Sequence, residues 1–214
     1  MHTATAAVAE IVGGIIPFDA LEKEHIDETL TWLASTDDVF RRVKPDIPPR
    51  HLVSYVVLVD PDARAVLLGR HRLAGLWLPT GGHVDPGEHP LATARRETTE
   101  ELGITADFTV TGTAPLFLTR TTTVGTHGGH EDVSLWYVIR GRRSATYTLE
   151  PREFSDQSWW GIDGFAPSDT DPHLPASSPS SSTLCVEVVG EGGVPSCRPA
   201  RRGSTELLYG SQGI

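Results

Sequence analysis

The sequence predicts an α/β fold, in which strands surround one central helix and lead to a later one, layered as an α/β/α sandwich behind an N-terminal helical extension. Three observations carry this. Leu52 to Asp60 is a β-rich run, followed by the turn Pro61-Asp62-Ala63 and a partner run from Ala65 to Arg70. Pro90 to Leu102 has helical spacing, with Leu91, Ala94, Thr98 and Leu102 directed at a core. Strand-like sequence then resumes, one or two strands within Phe108 to Thr122 and another over Val133 to Arg140.

Taken in order, Met1 to Gly14 is rich in small residues and is expected to be loose at its start. Phe18 to Ser35 reads as a helix: Asp19 can cap it, Glu22 completes a capping-box pattern, and Ile26, Leu30 and Leu33 recur at helical spacing. A continuation through Asp38, Val39 and Phe40 runs into the stop Pro45-Asp46-Ile47-Pro48-Pro49. This preface, residues 1–50, is read as a packing or dimerisation element without a catalytic part. The domain proper spans 51–170. Within it Leu76-Trp77-Leu78-Pro79 leads into the double glycine Gly81-Gly82, Gln157 to Gly161 is a last short strand, and Ile162 to Phe165 starts a brief helix. Residues 171–214 are rich in Ser, Pro, Gly and Arg without periodicity, and are expected to be a low-complexity, disordered tail.

Composition narrows the function classes. With 38% hydrophobic residues the chain can build a core, and a formal net charge of −10 argues against a groove for a nucleic-acid polymer, which needs a basic stripe. A small phosphorylated molecule remains compatible, provided that metal ions neutralise its site locally. Ile11 to Phe18 is short and interrupted by Gly13, Gly14 and Pro17, so neither a signal peptide nor a membrane span is read. The two cysteines, Cys185 and Cys197, both lie in the tail, and a reducing cytoplasm is the expected compartment.

The most informative stretch is Gly82 to Ile104. On a helix from Pro90 to Leu102, Glu97, Glu100 and Glu101 stand at i, i+3 and i+4, and so share one face. Like charges gathered in this way need a cation. Carboxylate oxygens are hard ligands suited to Mg²⁺ or Mn²⁺, ions that commonly sit between a few carboxylates and the oxygens of a phosphate.

The order of residues here, Gly82, five residues, Glu88, seven residues, Arg96-Glu97, then Glu100-Glu101, Gly103 and Ile104, resembles the signature of the Nudix hydrolases. Thr98 is the one departure, standing where an aliphatic residue is usual; its hydroxyl can bond back to a helix carbonyl. The resemblance implies a Nudix-type α/β/α sandwich with a mixed sheet and a metal-dependent hydrolase that cleaves the diphosphate linkage of a nucleoside di- or triphosphate or another nucleoside diphosphate derivative. It implies Mg²⁺ or Mn²⁺ on Glu97, Glu100 and Glu101, with Gly82 at the metal site and Arg96 and Glu88 bracing the loop and helix.

One of these carboxylates, or one from another loop, would act as general base. In MutT-type members a glutamate precedes the last strand with a tryptophan six residues later, and Glu153 stands in that relation to Trp159. Glu150, Glu131 and Asp132 compete for the role. Arg70 and Arg72, with Gly81 and Gly82, form the substrate-binding set, as cations and close backbone near a phosphate. Trp77 fills the core or stacks on a base. His83, His127 and His130 suggest no zinc site at their spacings. A proline placed further past the signature marks ADP-ribose-cleaving relatives; Pro115 comes too early for it. The alternative function is a non-catalytic Nudix-fold nucleotide sensor or interaction module, and the retained carboxylates weigh against it. An isoprenoid diphosphate isomerase would want a cysteine in the folded core.

Overall fold

The β-branched run of Val53, Val56, Val57 and Val59 forms β1 (Arg50–Asp60), on which the rest of the sheet is assembled. In the computed structural model, which describes residues 3–44, 47–123, 129–162, 167–171, 173 and 174, β2 (Ala65–His71) returns antiparallel to β1 with Leu58 opposite Leu67. Asp60 closes the turn between them, accepting hydrogen bonds from the amides of Asp62 and Ala63 at 3.0 Å. The same edge of β1 also takes β4 (Thr80–His83), with Ser54 opposite Gly82. The other edge takes β6 (Glu131–Arg140), parallel to β1, and β5 (Phe117–Thr122) lies antiparallel beyond it. β3 (Trp77–Leu78) and β7 (Phe154–Gly161) add to β2. Among the described residues the result is a seven-stranded sheet, mixed as the resemblance implies.

Among the described residues three helices accompany the sheet: α1 (Thr3–Gly13), α2 (Ala20–Ser35) and α3 (Pro90–Leu102). Alternation along the strands sorts the core into two faces. Leu52, Val56 and Leu58 of β1, with Val133, Leu135, Tyr137 and Ile139 of β6, pack with Val8, Val12, Leu33, Ala94 and Leu102 of the helices. The intervening residues Val57, Val59, Trp136 and Val138 pack on the opposite face with Val66, Leu68 and Leu174. None of the described helices is long and apolar enough to cross a membrane.

The N-terminal preface is more ordered than its composition suggests. Over residues 3–13, alanines give α1 high helix propensity, and Val8 and Val12 are fully buried against α2 and the sheet. Asp19 caps α2 as expected, accepting from the amide of Glu22 at 2.8 Å. Glu22 reaches the amide of Phe18 at 2.6 Å and, with its other oxygen, that of Leu118 in β5 at 3.1 Å. A carboxylate placed for local capping therefore also docks the helix on the sheet. Glu22→Ala leaves those two donors without their acceptor, and we expect a loss of about 1–3 kcal/mol, read as a lower midpoint in urea unfolding with an unchanged slope. An unchanged midpoint would show that water replaces the carboxylate without cost.

Of the strands expected within Phe108 to Thr122, only β5 forms. The amide of Gly112 donates to the carbonyl of Phe108 at 2.9 Å and Gly112 has φ of 83°, so a turn occupies this segment while Phe108 and Val110 still pack inward. The last strand begins earlier than Gln157, at Phe154, because β2 extends far enough to pair His71 with Phe154. Of the expected helix start, Ile162 is a turn residue whose amide donates to the carbonyl of Arg64; residues 163–165, Pro45, Asp46 and His127 lie outside the described residues, as does the expected tail from residue 175 onward.

Candidate active site

α3 is fastened to the sheet at its start and capped at its end. The hydroxyl of Ser54 in β1 donates to the carbonyl of Pro90 at 3.0 Å, and Gly103 ends the helix in the left-handed conformation, φ 68°, its amide donating to Thr99. Thr98 is wholly buried and donates to the carbonyl of Ala94 at 2.7 Å, so the departure from an aliphatic residue is absorbed inside the helix. This attachment lays Glu97 and Glu101 on the double glycine of β4. A Cβ on Gly82 would come within 2.2 Å of Glu97 Oε1. Gly81 donates its amide to Glu101 Oε2 at 2.8 Å, and with φ of 147° and the Ser54 carbonyl 2.4 Å from a Cβ position it too has room only for hydrogen. Glu100, at i+3 from Glu97, is the exposed member of the set.

Arg96 ties the arrangement together. Its guanidinium donates to Glu88 at 3.0 and 3.2 Å, to Glu97 at 2.6 Å, to Glu100 at 3.3 Å and to the carbonyl of His83 at 3.2 Å. Glu88 in turn accepts from Thr93 at 2.7 Å and from the amide of Asp85. Hydrogen bonding to Glu88 raises the Arg96 pKa further, so this cation is permanent. Arg96 and Glu88 thus position the loop and the carboxylates of Glu97 and Glu100.

Electrostatically the face is under strain without a cation. Burial pushes the Glu97 carboxyl up, against the lowering effect of Arg96. Burial also pushes Glu101 well up, reinforced by a hydrogen bond with Glu153. Glu153 stands at the head of β7, its carbonyl accepting from the amide of Arg72 at 2.8 Å. The structure therefore brings Glu153 to Glu101, across a long sequence separation. Because both folded carboxyl pKa values lie above their unfolded values, their contribution to metal-free stability is present below the unfolded range and is lost as pH rises through the raised values. The thermal midpoint in chelator should fall from mildly acidic to neutral pH, and Mg²⁺ should restore it at neutral pH. A Glu101→Gln protein should show a flatter profile; a slope unchanged from the parent would detach the effect from this face.

The other candidates are placed elsewhere. Arg70 pairs with Asp169 and lies over Trp77, 5.9 Å from the ring centroid, so its charge anchors the segment around Thr170. Arg72 donates from Nε to the carbonyl of Pro151 at 2.9 Å and braces the loop that carries Glu153. Glu131 pairs with Arg50 and Arg120, and Glu150 accepts from the amide of Arg152. Trp77 packs edge-on against Trp160. The sequence spacings of His83, His127 and His130 suggest no zinc site; His127 lies outside the described residues, and the other two are brought together in space. Sheet pairing, which sequence spacing does not reveal, gathers His83 and His130 with His51 and Asp132, ligand atoms all within 4.8 Å. Burial holds the His83 pKa down at about 2, helped by the neighbouring cation Arg41.

Arg41 is the residue that sequence reading missed. It lies in the preface read as mere packing, yet it is half-buried within electrostatic reach of Asp132, Asp85, Glu153 and Glu97. Nothing in its local sequence marks it.

The site is thus a carboxylate-bearing helix held against a glycine loop of a mixed sheet, a donor set of hard oxygens. The sequence profile of the NUDIX domain matches residues 49–178, more than half of the chain, and the chain belongs to that family. It is similar to an isopentenyl-diphosphate Delta-isomerase of Streptomyces griseus, 34% identical over 91 residues, which are 40% of this chain and 45% of the relative. A second similarity is to the asymmetrical bis(5'-nucleosyl)-tetraphosphatase of Mus musculus, 67% identical over 30 residues, 14% of this chain and 20% of the relative. The chain thus matches less than half the length of each of these curated relatives. Among solved structures, a MutT NUDIX hydrolase from Burkholderia pseudomallei superposes with a TM-score of 0.46 at 23% identity, covering 56% of this chain and 88% of the other.

Proposed function

We propose that the chain is a divalent-metal-dependent hydrolase that cleaves the diphosphate linkage of a nucleoside di- or triphosphate or another nucleoside diphosphate derivative. The observation that carries this reading is the seating of Glu97 and Glu101, buried carboxylates with raised pKa values, against two glycines that leave no room for a side chain. Buried acid groups of this kind are costly unless a cation is meant to meet them. Glu97, Glu101 and the more exposed Glu100 would hold Mg²⁺ or Mn²⁺, with the backbone at Gly82 beside them. Bound there, the ion supplies charge neutralisation for the phosphates and a lowered pKa for water.

The chain's own residues do the rest. Glu153, hydrogen-bonded to Glu101, is placed to accept the proton of the attacking water. Arg96 fixes Glu97 and Glu100 in position. Arg41, whose charge faces the carboxylates of the cleft, is suited to a phosphate oxygen. Arg70 and Arg72 act through the segments they anchor. The partner is a small phosphorylated molecule, with no nucleic-acid polymer or membrane, and the compartment is the cytoplasm, where a homodimer through the preface is compatible. No cysteine occurs among the described residues, which leaves the isomerase chemistry named for one relative without the nucleophile or acid expected of it.

The test is a panel of nucleoside di- and triphosphates and nucleoside diphosphate derivatives, incubated with purified protein and Mg²⁺ and scored for released phosphate or pyrophosphate. Hydrolysis that requires the metal supports the reading, and its absence across the panel would favour a nucleotide-sensing module. Glu153→Gln should lower kcat by less than loss of a ligand carboxylate does, with KM little changed, because it removes only proton acceptance. Wild-type rates in this variant would move the general base to a carboxylate of α3.

A further inference from the structure

On the sheet face opposite α3, three imidazoles and one carboxylate converge at the head of the β1–β6 pair. His51 and Asp132 are register partners across these parallel strands, His83 follows Gly82 opposite Val53, and His130 enters just ahead of β6. Strand alternation turns His83 away from the face that Gly82 presents to Glu97. Asp132 Oδ1 lies 3.2 Å from His51 Nε2, 3.5 Å from His130 Nε2 and 3.8 Å from His83 Nε2.

The hydrogen bonds around the rings fix which nitrogens carry lone pairs. His51 Nδ1 lies 2.8 Å from the carbonyl of Pro48, which can only accept, so the ring hydrogen is at Nδ1 and Nε2 presents a lone pair. His130 Nδ1 lies 3.1 Å from Thr123 Oγ1, a hydroxyl that itself donates to the His130 carbonyl at 3.2 Å. Nδ1 of His130 is then the donor, and its Nε2 is also a free lone pair. His51 Nε2, His83 Nε2 and Asp132 Oδ1 are buried without a hydrogen-bond partner among the described residues. His51 is 0% exposed and Asp132 8%. Acceptors facing acceptors in a buried site are unfavourable, and a single proton could satisfy just one nitrogen–oxygen pair. Arg41 is close enough to act on Asp132 electrostatically, yet Oδ1 accepts no hydrogen bond from it.

We propose that His51, His83, His130 and Asp132 form a second metal site, separate from the carboxylate face of α3, for a first-row divalent transition ion such as Zn²⁺. Imidazole nitrogens select such ions over Mg²⁺, which prefers oxygen. Bonds of 2.0–2.1 Å around a tetrahedral ion place the ligand atoms about 3.3 Å apart; the separations to Asp132 Oδ1 are 3.2 to 3.8 Å and the whole set lies within 4.8 Å, so small side-chain shifts close it on an ion. The backbone and hydroxyl partners of His51 and His130 supply the outer hydrogen bonds that orient ligating imidazoles. Because His83 follows Gly82, and its carbonyl accepts from Arg96, an ion here clamps the end of β4. The site is thus a positioning device for the glycine loop beneath Glu97, and its existence does not depend on what the α3 face hydrolyses.

The full chain, stripped with chelator, is to be titrated with Zn²⁺ in excess Mg²⁺, with Co²⁺ as a visible probe. One equivalent of Zn²⁺ should bind, Co²⁺ should give the intense visible band of a four-coordinate centre, and the thermal midpoint should rise. His130→Gln and Asp132→Asn should each weaken binding by more than the ~10–100-fold that an outer hydrogen-bond partner commands. Glu101→Gln should leave Zn²⁺ stoichiometry and the Co²⁺ band intact. No stoichiometric Zn²⁺ uptake by the wild-type chain would overturn the proposal, as would undiminished binding in either folded ligand variant or loss of binding in Glu101→Gln. Wild-type stoichiometry and the Co²⁺ spectrum decide the point even where one variant fails to fold.

Discussion

Glu101→Gln is expected to lower kcat by roughly 10²–10⁴-fold on whichever substrate the panel identifies, with the fold retained. The carboxylate is 4% exposed, accepts the Gly81 amide at 2.8 Å and shares a hydrogen bond with Glu153. A glutamine preserves shape: its carbonyl oxygen can take the Gly81 amide, and its amide hydrogens can still meet Glu153. What it removes is the negative charge that a divalent ion needs, together with the electrostatic link to the proposed base. Burial of a neutral group in place of a carboxyl with a raised pKa should, if anything, ease folding at neutral pH. Circular dichroism and urea unfolding would establish the intact fold, and steady-state kinetics over a Mg²⁺ series would establish the loss. Near-normal turnover at saturating Mg²⁺ would remove this face from the mechanism.

Gly82→Ala should be nearly as damaging, for a steric reason. The added methyl would stand 2.2 Å from Oε1 and 2.5 Å from the carboxyl carbon of Glu97. Gly82 does not have a positive φ, so the backbone accepts alanine and the whole penalty falls on Glu97. That side chain cannot simply yield, because Arg96 holds it at 2.6 Å and is itself bound to Glu88 and the His83 carbonyl. A ligand displaced by about 1 Å can cost on the order of 10²-fold in rate, whereas the overpacking itself costs about 1–3 kcal/mol. Kinetics and Mg²⁺ affinity should both suffer, while Gly81→Ala should chiefly impair folding, since its methyl meets the Ser54 carbonyl at 2.4 Å in a strained backbone. Equal activity in Gly82→Ala and the parent would mean that Glu97 need not be where it is found.

Much of the α3 region is legible from sequence because its information is local. Helical spacing alone places Glu97, Glu100 and Glu101 on one face, Gly103 is where a left-handed cap is wanted, and the β1–β2 hairpin announces itself by a β-rich run and a turn. Glu153 was reachable through its spacing to Trp159. The intramolecular partners of Arg70 and Arg72, Asp169 and the Pro151 carbonyl, carry no such mark, since a cation after a strand looks the same whatever it pairs with. An alanine-rich segment likewise reveals little about whether a core exists to receive Val8 and Val12.

The sequence by itself determined the family, the carboxylate-bearing helix and the glycine loop, because these depend on residues a few positions apart. Tertiary structure decided that Arg41 of the preface lies within electrostatic reach of Asp132, Glu153 and Glu97, that Glu101 and Glu153 meet, and that His51, His83, His130 and Asp132 converge. Those juxtapositions depend on strand order and register, in particular the parallel pairing of β1 with β6, and a linear pattern carries no record of which strands will lie side by side.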